Sequence, residues 1–441
     1  MRSTTASIRK AATMTRRESD PSEPNPLLGW FWQREAEVID AELANIRGRG
    51  PVFFPEPETE EIGIPTGPGA WVITSYDHII EMSRKPDVFS SAGGITVTDL
   101  PQAFLEFYSS MIAMDDPRHS HLRNLVQLGF TRKMLSALDD SVVSLAATIV
   151  DEVAERGECD FVVDVAARLP LTIVCNLMGV PESQVDFVFD QTNIVLGAAD
   201  PEYRPDGTDV VTALLGAGHA LAELMKSVAE AKKGGDGSDL TSILVNSEVD
   251  GKRLSPSDIA SFFILLVVAG NETTRNAMAW GLHYLTENPD QRQIWQNDVA
   301  GVTRTAVEEI VRVASPVTYM RRTASVDTEL TDPVLGPTQI AAGDKLAMFY
   351  LAANRDEAHF DDPLRFDVLR DPNKHLGFGG PGPHFCLGAH LARREISVMF
   401  SELFERLPDI VASGPPDILD SSFVHGVKHL PATFTPQPKR S

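Results

Sequence analysis

The stretch "GFGGPGPHFCLGAHLAR", residues 377–393, sets a cysteine in a glycine-rich loop that opens directly into a helix. A buried cysteine usually acts as a small apolar filler, and filler needs no such setting. Gly379, Gly380, Gly382 and Gly388 surround Cys386, while Pro381 and Pro383 stiffen the approach. The run "AHLARREISVMFSELFERL" that follows has helical spacing and no proline before Pro408, so Cys386 is expected at a helix N-terminus. There the helix dipole and the free N–H groups favour a thiolate over a thiol. Glycines let the backbone approach a bulky flat partner and aim amides at the sulfur. The pattern is a setting for a metal-bound thiolate.

The chain has 441 residues and no internal repeat, and its one short low-complexity stretch, "AKKGGDGSD" at 231–239, reads as a surface loop. One large domain over 27–441 is expected, preceded by a disordered tail, 1–26. That tail is rich in Ser, Thr, Arg and Pro and lacks an apolar core, which excludes a secretory signal. Cys159, Cys175 and Cys386 form no CxxC pair and are odd in number, against a disulfide framework or a zinc site and in keeping with a cytoplasmic location. The longest apolar run, "IASFFILLVVAG" at 259–270, is too short to span a bilayer and reads as a buried central helix, so no transmembrane anchor is expected. A net charge of −23 argues against nucleic acid or anionic membrane as partner. A local basic patch of Arg393 and Arg394, with Arg132 and Lys133, would suit an acidic protein partner or be a plain solvated face.

Helical periodicity dominates from about 115 to 315, and short alternating stretches at 70–76, 319–324 and 345–352 suggest strands. The expected fold class is mostly α with a small β portion.

Several constellations carry chemistry. In "AGNETT", 269–274, Gly270 costs a helix about 1 kcal/mol relative to alanine and therefore needs a reason. Thr273 can bond back to the carbonyl of Ala269, opening a groove with a hydroxyl and the Glu272 carboxylate beside it. Such a pair can relay protons to a small bound molecule. Glu309 and Arg312 stand at i, i+3, a common helical pair. His119 and Arg123 stand at i, i+4 and could clamp a carboxylate. Arg355 falls in the irregular stretch "ANRD".

Taken in order, these motifs resemble the cytochrome P-450 family of haem-thiolate monooxygenases, over nearly the whole chain beyond the tail. The resemblance implies haem b, with Cys386 as axial thiolate to the iron, which favours O–O cleavage. It implies Phe378 on the thiolate side, and His384, His119, Arg123 and Arg322 as propionate partners. It implies a buried charge triad of Glu309, Arg312 and Arg355, and Glu272 with Thr273 as the acid–alcohol pair. The chain departs from the commoner pattern in placing Phe378 eight rather than seven positions before Cys386, and in carrying Val313 where an aromatic residue often stands.

The stretches "FFILLVVAGNETTRNA", "TAVEEIVR", "SPVTYMRRT" and "HFCLGAHLARREI" are similar to a bacterial branch that oxidises methyl-branched lipids and sterol side chains. The implied reaction inserts one atom of O2 into the terminal C–H bond of a methyl-branched fatty acid, isoprenoid or sterol side chain. Electrons would come from NAD(P)H through a ferredoxin reductase and a ferredoxin. Ile95, Val97, Tyr108, Val268, Ala269, Val317 and Phe423 are candidates to line an apolar pocket. The alternatives are a monooxygenase of another small apolar substrate such as a terpenoid, a peroxide-driven fatty-acid oxygenase, and a haem-thiolate sensor or carrier. The intact Glu272–Thr273 pair weighs against the last two.

Overall fold

The apolar run at 259–270 lies inside a 32-residue helix, Pro256–Glu287, which threads the centre of the computed structural model. Its start is fixed by a capping box: the Ser255 hydroxyl accepts from the Asp258 N–H at 3.1 Å, and the Asp258 carboxylate accepts from the Ser255 N–H at 3.1 Å. Pro256 occupies the first helical position, where its missing N–H costs nothing. The helices Arg168–Met178, Val210–Ala231, Val299–Ala314 and Ala389–Arg406 pack around it. This encirclement explains why Ile259, Phe262, Phe263, Ile264 and Val267 can all be buried although they point in different directions. The structure describes residues 17–55, 67–99, 110–130, 132–197, 200–235, 237, 239–247 and 254–440.

The β portion centres on a five-stranded sheet in the order Val52–Phe54, Ala70–Ile73, Lys345–Phe349, Tyr319–Ala324, Phe89–Ser90. The expected strand at 345–352 stops at Phe349, and Tyr350–Ala353 forms a helical turn. All nine residues from Lys345 to Ala353 are buried, so the apolar run held no period that could mark the change. Residues 17–26, expected in the tail, join the fold: the Phe53 N–H donates to the Arg17 carbonyl at 2.8 Å and the Ser19 N–H to the Phe53 carbonyl at 2.9 Å. Residues 1–16 lie outside the described part of the chain. Among the described residues one helical stretch, Phe161–Met178, is long and apolar enough to cross a membrane, and 72% of it is buried inside the fold.

The pair Glu309–Arg312 is fully buried, with two hydrogen bonds of 2.7 Å between guanidinium and carboxylate. Arg312 also donates to the carbonyls of Asn354, Pro363 and Arg365. The third member of the triad is Arg370 and not Arg355. Arg370 Nε lies 3.2 Å from both Glu309 oxygens, and Asn373 adds a bond of 2.9 Å. Arg355 follows the Tyr350–Ala353 turn and faces the other way, pairing with Asp40 at 2.7 Å and donating to the Val313 carbonyl. It therefore ties the N-terminal helix Ala36–Arg47 to the core.

Removing one partner of such a buried pair strands the other charge, so Arg312→Ala should cost about 3–5 kcal/mol in chemical unfolding. A double-mutant cycle separates the two remaining arginines. Glu309 should couple to Arg370 by at least about 0.5 kcal/mol and to Arg355 by less than that. Equal coupling to both would restore Arg355 to the triad.

Candidate active site

The cysteine loop is built by its own backbone. The Cys386 N–H donates to the Phe378 carbonyl at 3.0 Å, and the Gly379 N–H to the Leu376 carbonyl at 2.9 Å. Gly379 turns the chain with φ +84°, where a side chain would be strained. Gly382 serves a different purpose from the one the sequence suggests: it rests on the backbone of Ser83, at the end of the helix Tyr76–Arg84, where a Cβ would collide.

Cys386 is accessible, and the space it faces is a cavity of which it forms part of the wall. Burial by the surrounding protein raises its pKa, while the N–H groups of Gly388 and Ala389 and the charges of Arg123 and Arg393 work in the opposite direction. Cys159 and Cys175 have their thiols pushed up to about 12, chiefly by burial. The Arg393 guanidinium lies 4.3 Å over the Phe378 ring, which also borders the cavity.

Arg393 is held there by Glu308, a residue the sequence did not single out. Glu308 accepts from Arg393 Nη2 at 2.9 Å and shares a 2.9 Å hydrogen bond with His375. Burial alone would raise its pKa, but these two partners prevail and bring it down to about 2. The basic patch suggested for a protein partner is thus largely spoken for. Arg393 is engaged internally, Arg394 pairs with Asp139 at 2.9 Å, and the side chains of Arg132 and Lys133 lie outside the described residues.

The cavity encloses about 1500 Å³ of empty space, its mouth included. One end is cationic: His119, Arg123, Arg322 and His384 all border it. The two histidine rings lie 4.2 Å apart, Arg123 donates to the Phe385 carbonyl at 2.7 Å, and Ser91 Oγ is 3.1 Å from His384 Nε2. Arg322, buried, donates to the carbonyl of its neighbour Arg321 at 2.9 Å. Burial, joined by the charges of Arg322, His119 and Arg123, holds His384 down to about 3. Burial and then Arg123 lower His119 in the same sense. Two guanidinium groups and two uncharged imidazoles able to donate hydrogen bonds suit an anionic guest at this end, although Asp116 lies 3.7 Å from His119 and offsets part of the charge. With a thiol on the adjoining wall, this donor set fits a haem carrying two propionates.

On the central helix, Thr273 Oγ1 donates to the Ala269 carbonyl at 2.7 Å, and both residues border the cavity. Gly270 has its reason: a Cβ there would stand 3.0 Å from Val174. Glu272 does not reach the cavity wall. Its carboxylate is buried against Arg275 at 2.5 Å and Asn276 at 2.9 Å, and Arg275 bonds onward to Asn193 at 3.0 Å.

Of the substrate candidates, Ala269 and Val317 border the cavity. Val268 does not border the cavity and packs against the core cluster that backs part of its wall. Val97 packs in the core around Tyr319, and Phe423 meets the Tyr319 ring at 5.5 Å. Ile95 uses its carbonyl to accept from the Arg321 N–H. Tyr108 lies outside the described residues. The apolar wall is formed instead by Met111, Ile112, Phe130, Leu265, Leu266 and Met320. Leu265 and Leu266 stand four and three positions before Ala269, and Met320 two before Arg322. Helical and strand periods from the known site residues would have found them.

The family model for cytochrome P450 matches residues 219–431. A methyl-branched lipid omega-hydroxylase of Mycobacterium tuberculosis strain H37Rv is 46% identical over 410 residues, covering 92% of this chain and 93% of its own. A steroid C26-monooxygenase of Rhodococcus jostii is 37% identical over 398 residues, covering 89% of this chain and 81% of its own. A solved Mycobacterium marinum cytochrome P450 in complex with pseudoionone superposes with a TM-score of 0.87 at 39% identity, covering 97% of this chain and 100% of that one.

If Cys386 is the haem ligand, the reduced haem protein with carbon monoxide should show the strongly red-shifted Soret band of thiolate ligation. Cys386→Ala should lose that band, and Cys159→Ala and Cys175→Ala should keep it. A band that survives in Cys386→Ala would move the ligand elsewhere.

Proposed function

The chain belongs to the cytochrome P450 family of haem- and O2-using monooxygenases, and we propose that the bond it oxidises is the terminal methyl C–H of a methyl-branched lipid: a fatty acid, isoprenoid or sterol side chain. The observation that carries the proposal is the division of the cavity. Its polar groups gather around the haem end, while Met111, Ile112, Leu265, Leu266, Val317 and Met320 offer the substrate nothing but apolar surface. The names of the relatives, methyl-branched lipid omega-hydroxylase and steroid C26-monooxygenase, point to the same chemistry. A second reading, oxidation of a small terpenoid, is favoured by the pseudoionone held by the Mycobacterium marinum relative.

When bound, the haem supplies the metal that activates O2. Cys386, Phe378, His119, Arg123, Arg322 and His384 would hold it, the first by its sulfur and the last four by hydrogen bonds to carboxylates. What the chain itself does is bind, orient and handle protons. Gly388 and Ala389 point their N–H groups at the Cys386 sulfur and stabilise its negative charge. Thr273 keeps its hydroxyl at the groove by donating to Ala269, leaving the oxygen free to accept a further proton-bearing group. The apolar wall excludes water and fixes the lipid chain. A terminal C–H bond is stronger than a tertiary one nearby, so the wall must select by position, holding the chain end forward and the branch point back.

We place the electron supply with NAD(P)H through a ferredoxin reductase and a ferredoxin, and the enzyme in the cytoplasm. This follows the resemblance to the bacterial branch and the cysteine usage.

Turnover of a branched acid and its linear counterpart, with products identified by mass spectrometry, tests the reading. One methylene in an apolar pocket is worth about 1–3 kcal/mol, so the branched chain should be preferred by roughly ten- to 200-fold in kcat/KM and oxidised at a terminal methyl. Predominant attack at the tertiary carbon would refute terminal selection. Leu266→Ala should enlarge the wall and broaden the products toward internal positions. Thr273→Ala should still bind lipid and consume reduced cofactor, but release more hydrogen peroxide and less alcohol. Unchanged coupling would remove the hydroxyl from proton handling.

A further inference from the structure

We infer that Glu308, through the guanidinium group it holds over Phe378, sets how readily a haem on Cys386 accepts an electron. Glu308 is thus a positioning residue for the reduction step. The inference rests on the haem-thiolate reading of the site and not on the identity of the lipid.

The arrangement builds outward from the cysteine. The Cys386 N–H donates to the Phe378 carbonyl at 3.0 Å, so the Phe378 ring is carried by the segment that holds the sulfur. Arg393 stands seven positions after Cys386, nearly two helical turns, but helical side chains lean toward the N-terminus of their helix. Its guanidinium reaches back to lie 4.3 Å over the Phe378 ring, with Nη1 3.4 Å from the Ala389 carbonyl. The charge of Arg393 is felt at the Cys386 sulfur. Glu308 grips the same group with two bonds, accepting from Nε at 2.5 Å and from Nη2 at 2.9 Å. A paired contact of this kind fixes the plane of the guanidinium as well as its place.

His375 completes the arrangement without adding charge. The Gly377 N–H donates to His375 Nδ1 at 3.1 Å, so the ring proton sits on Nε2 and is donated to Glu308 at 2.9 Å. Glu308 stays ionised between its two partners. One negative and one positive charge therefore stand together behind Phe378 and offset each other. Reduction adds one electron, from a one-electron carrier, to the iron(III) of the haem, and no bond in this chain forms or breaks. A positive charge beside the thiolate favours that step and a negative one opposes it. By balancing Arg393, Glu308 keeps the sulfur a strong electron donor and the reduction potential low.

The test is a redox titration with dithionite and mediators on the haem-loaded protein, alongside the infrared C–O stretch of its carbon monoxide complex. Wild type is compared with Glu308→Gln, Glu308→Asp, Arg393→Gln, the Glu308→Gln/Arg393→Gln double variant and Arg394→Gln. At a fixed potential Glu308→Gln should raise the ratio of reduced to oxidised haem at least threefold, ~28 mV for one electron. Arg393→Gln should lower it by a similar factor. The double variant, in which both charges are gone, should lie between the two single variants. Glu308→Asp should return toward wild type, and Arg394→Gln, which loses only its pair with Asp139, should not move. The C–O stretch should rise in Glu308→Gln and fall in Arg393→Gln. A merely loosened cysteine loop would shift both single variants in the same direction, and that result would overturn the inference, as would unmoved potentials in both. Should Glu308→Gln take up no haem, Arg393→Gln decides: a potential at or above that of wild type overturns the inference. A wild type without the red-shifted carbon monoxide band would instead defeat the haem-thiolate reading, and no lipid enters the measurement, so the failures are distinguishable.

Discussion

Two consecutive carboxylates on one helix hold the haem side of this molecule together. Neighbouring helical residues point in different directions, so Glu308 and Glu309 of Val299–Ala314 serve different parts of the chain. Glu309 gathers Arg312, Arg370 and Asn373, and through Arg312 it fixes the carbonyls of Asn354, Pro363 and Arg365. Glu308 gathers His375 and Arg393, and through Arg393 it fixes Phe378 behind the cysteine. The chain between the Tyr350–Ala353 turn and Ala389 has almost no regular secondary structure to pair its own backbone groups. It becomes a rigid platform because buried guanidinium groups satisfy its carbonyls in place of a ladder. The two carboxylates remain charged because each is matched by more than one donor, which burial in a low dielectric demands.

Much of the fold and of the haem end was legible in the sequence. Helical and strand periods, the buried central helix, the Thr273 back-bond and the Cys386 loop depend on local spacing, which a sequence displays directly. What was not legible depends on direction. Arg355 and Arg370 are both arginines in irregular chain, and only the path of the backbone decides which one meets Glu309. Glu308 was not singled out because its partners, His375 and Arg393, stand 67 and 85 residues away. The apolar candidates Val97, Val268 and Phe423 were suitable in kind but face core clusters, since an apolar side chain does not announce which hollow it borders. Gly382 was assigned to the flat guest, while its close approach is to the Ser83 backbone.

The cavity joins two environments with opposite demands. At one end the guanidinium groups of Arg123 and Arg322 stand beside the uncharged rings of His119 and His384, with Asp115 and Asp116 offsetting part of the charge, and four hydrogen-bond donors there suit an anionic guest. Beyond Thr273 the wall is apolar and nonspecific in hydrogen bonding, so discrimination among guests there comes from shape. The bond from Arg275 to Asn193 also links the carboxylate behind the groove to the helix Val185–Gly197.

The strand Tyr319–Ala324 contributes to both environments at once. Side chains alternate along a strand, so Met320 and Arg322 share the face toward the cavity while Tyr319 and Arg321 turn away. Met320 borders the apolar part of the cavity and Arg322 the cation cluster, and their separation is set by two residues of backbone, about 7 Å. The strand thus works as a ruler between guest and cofactor, and its graduations are locked by pairing with Lys345–Phe349. Substitutions at 317 or 320 can alter the shape of the cavity without moving Arg322. A single inserted or deleted residue would exchange the two faces, bringing Arg321 to the cavity and sending Arg322 into the sheet's other side.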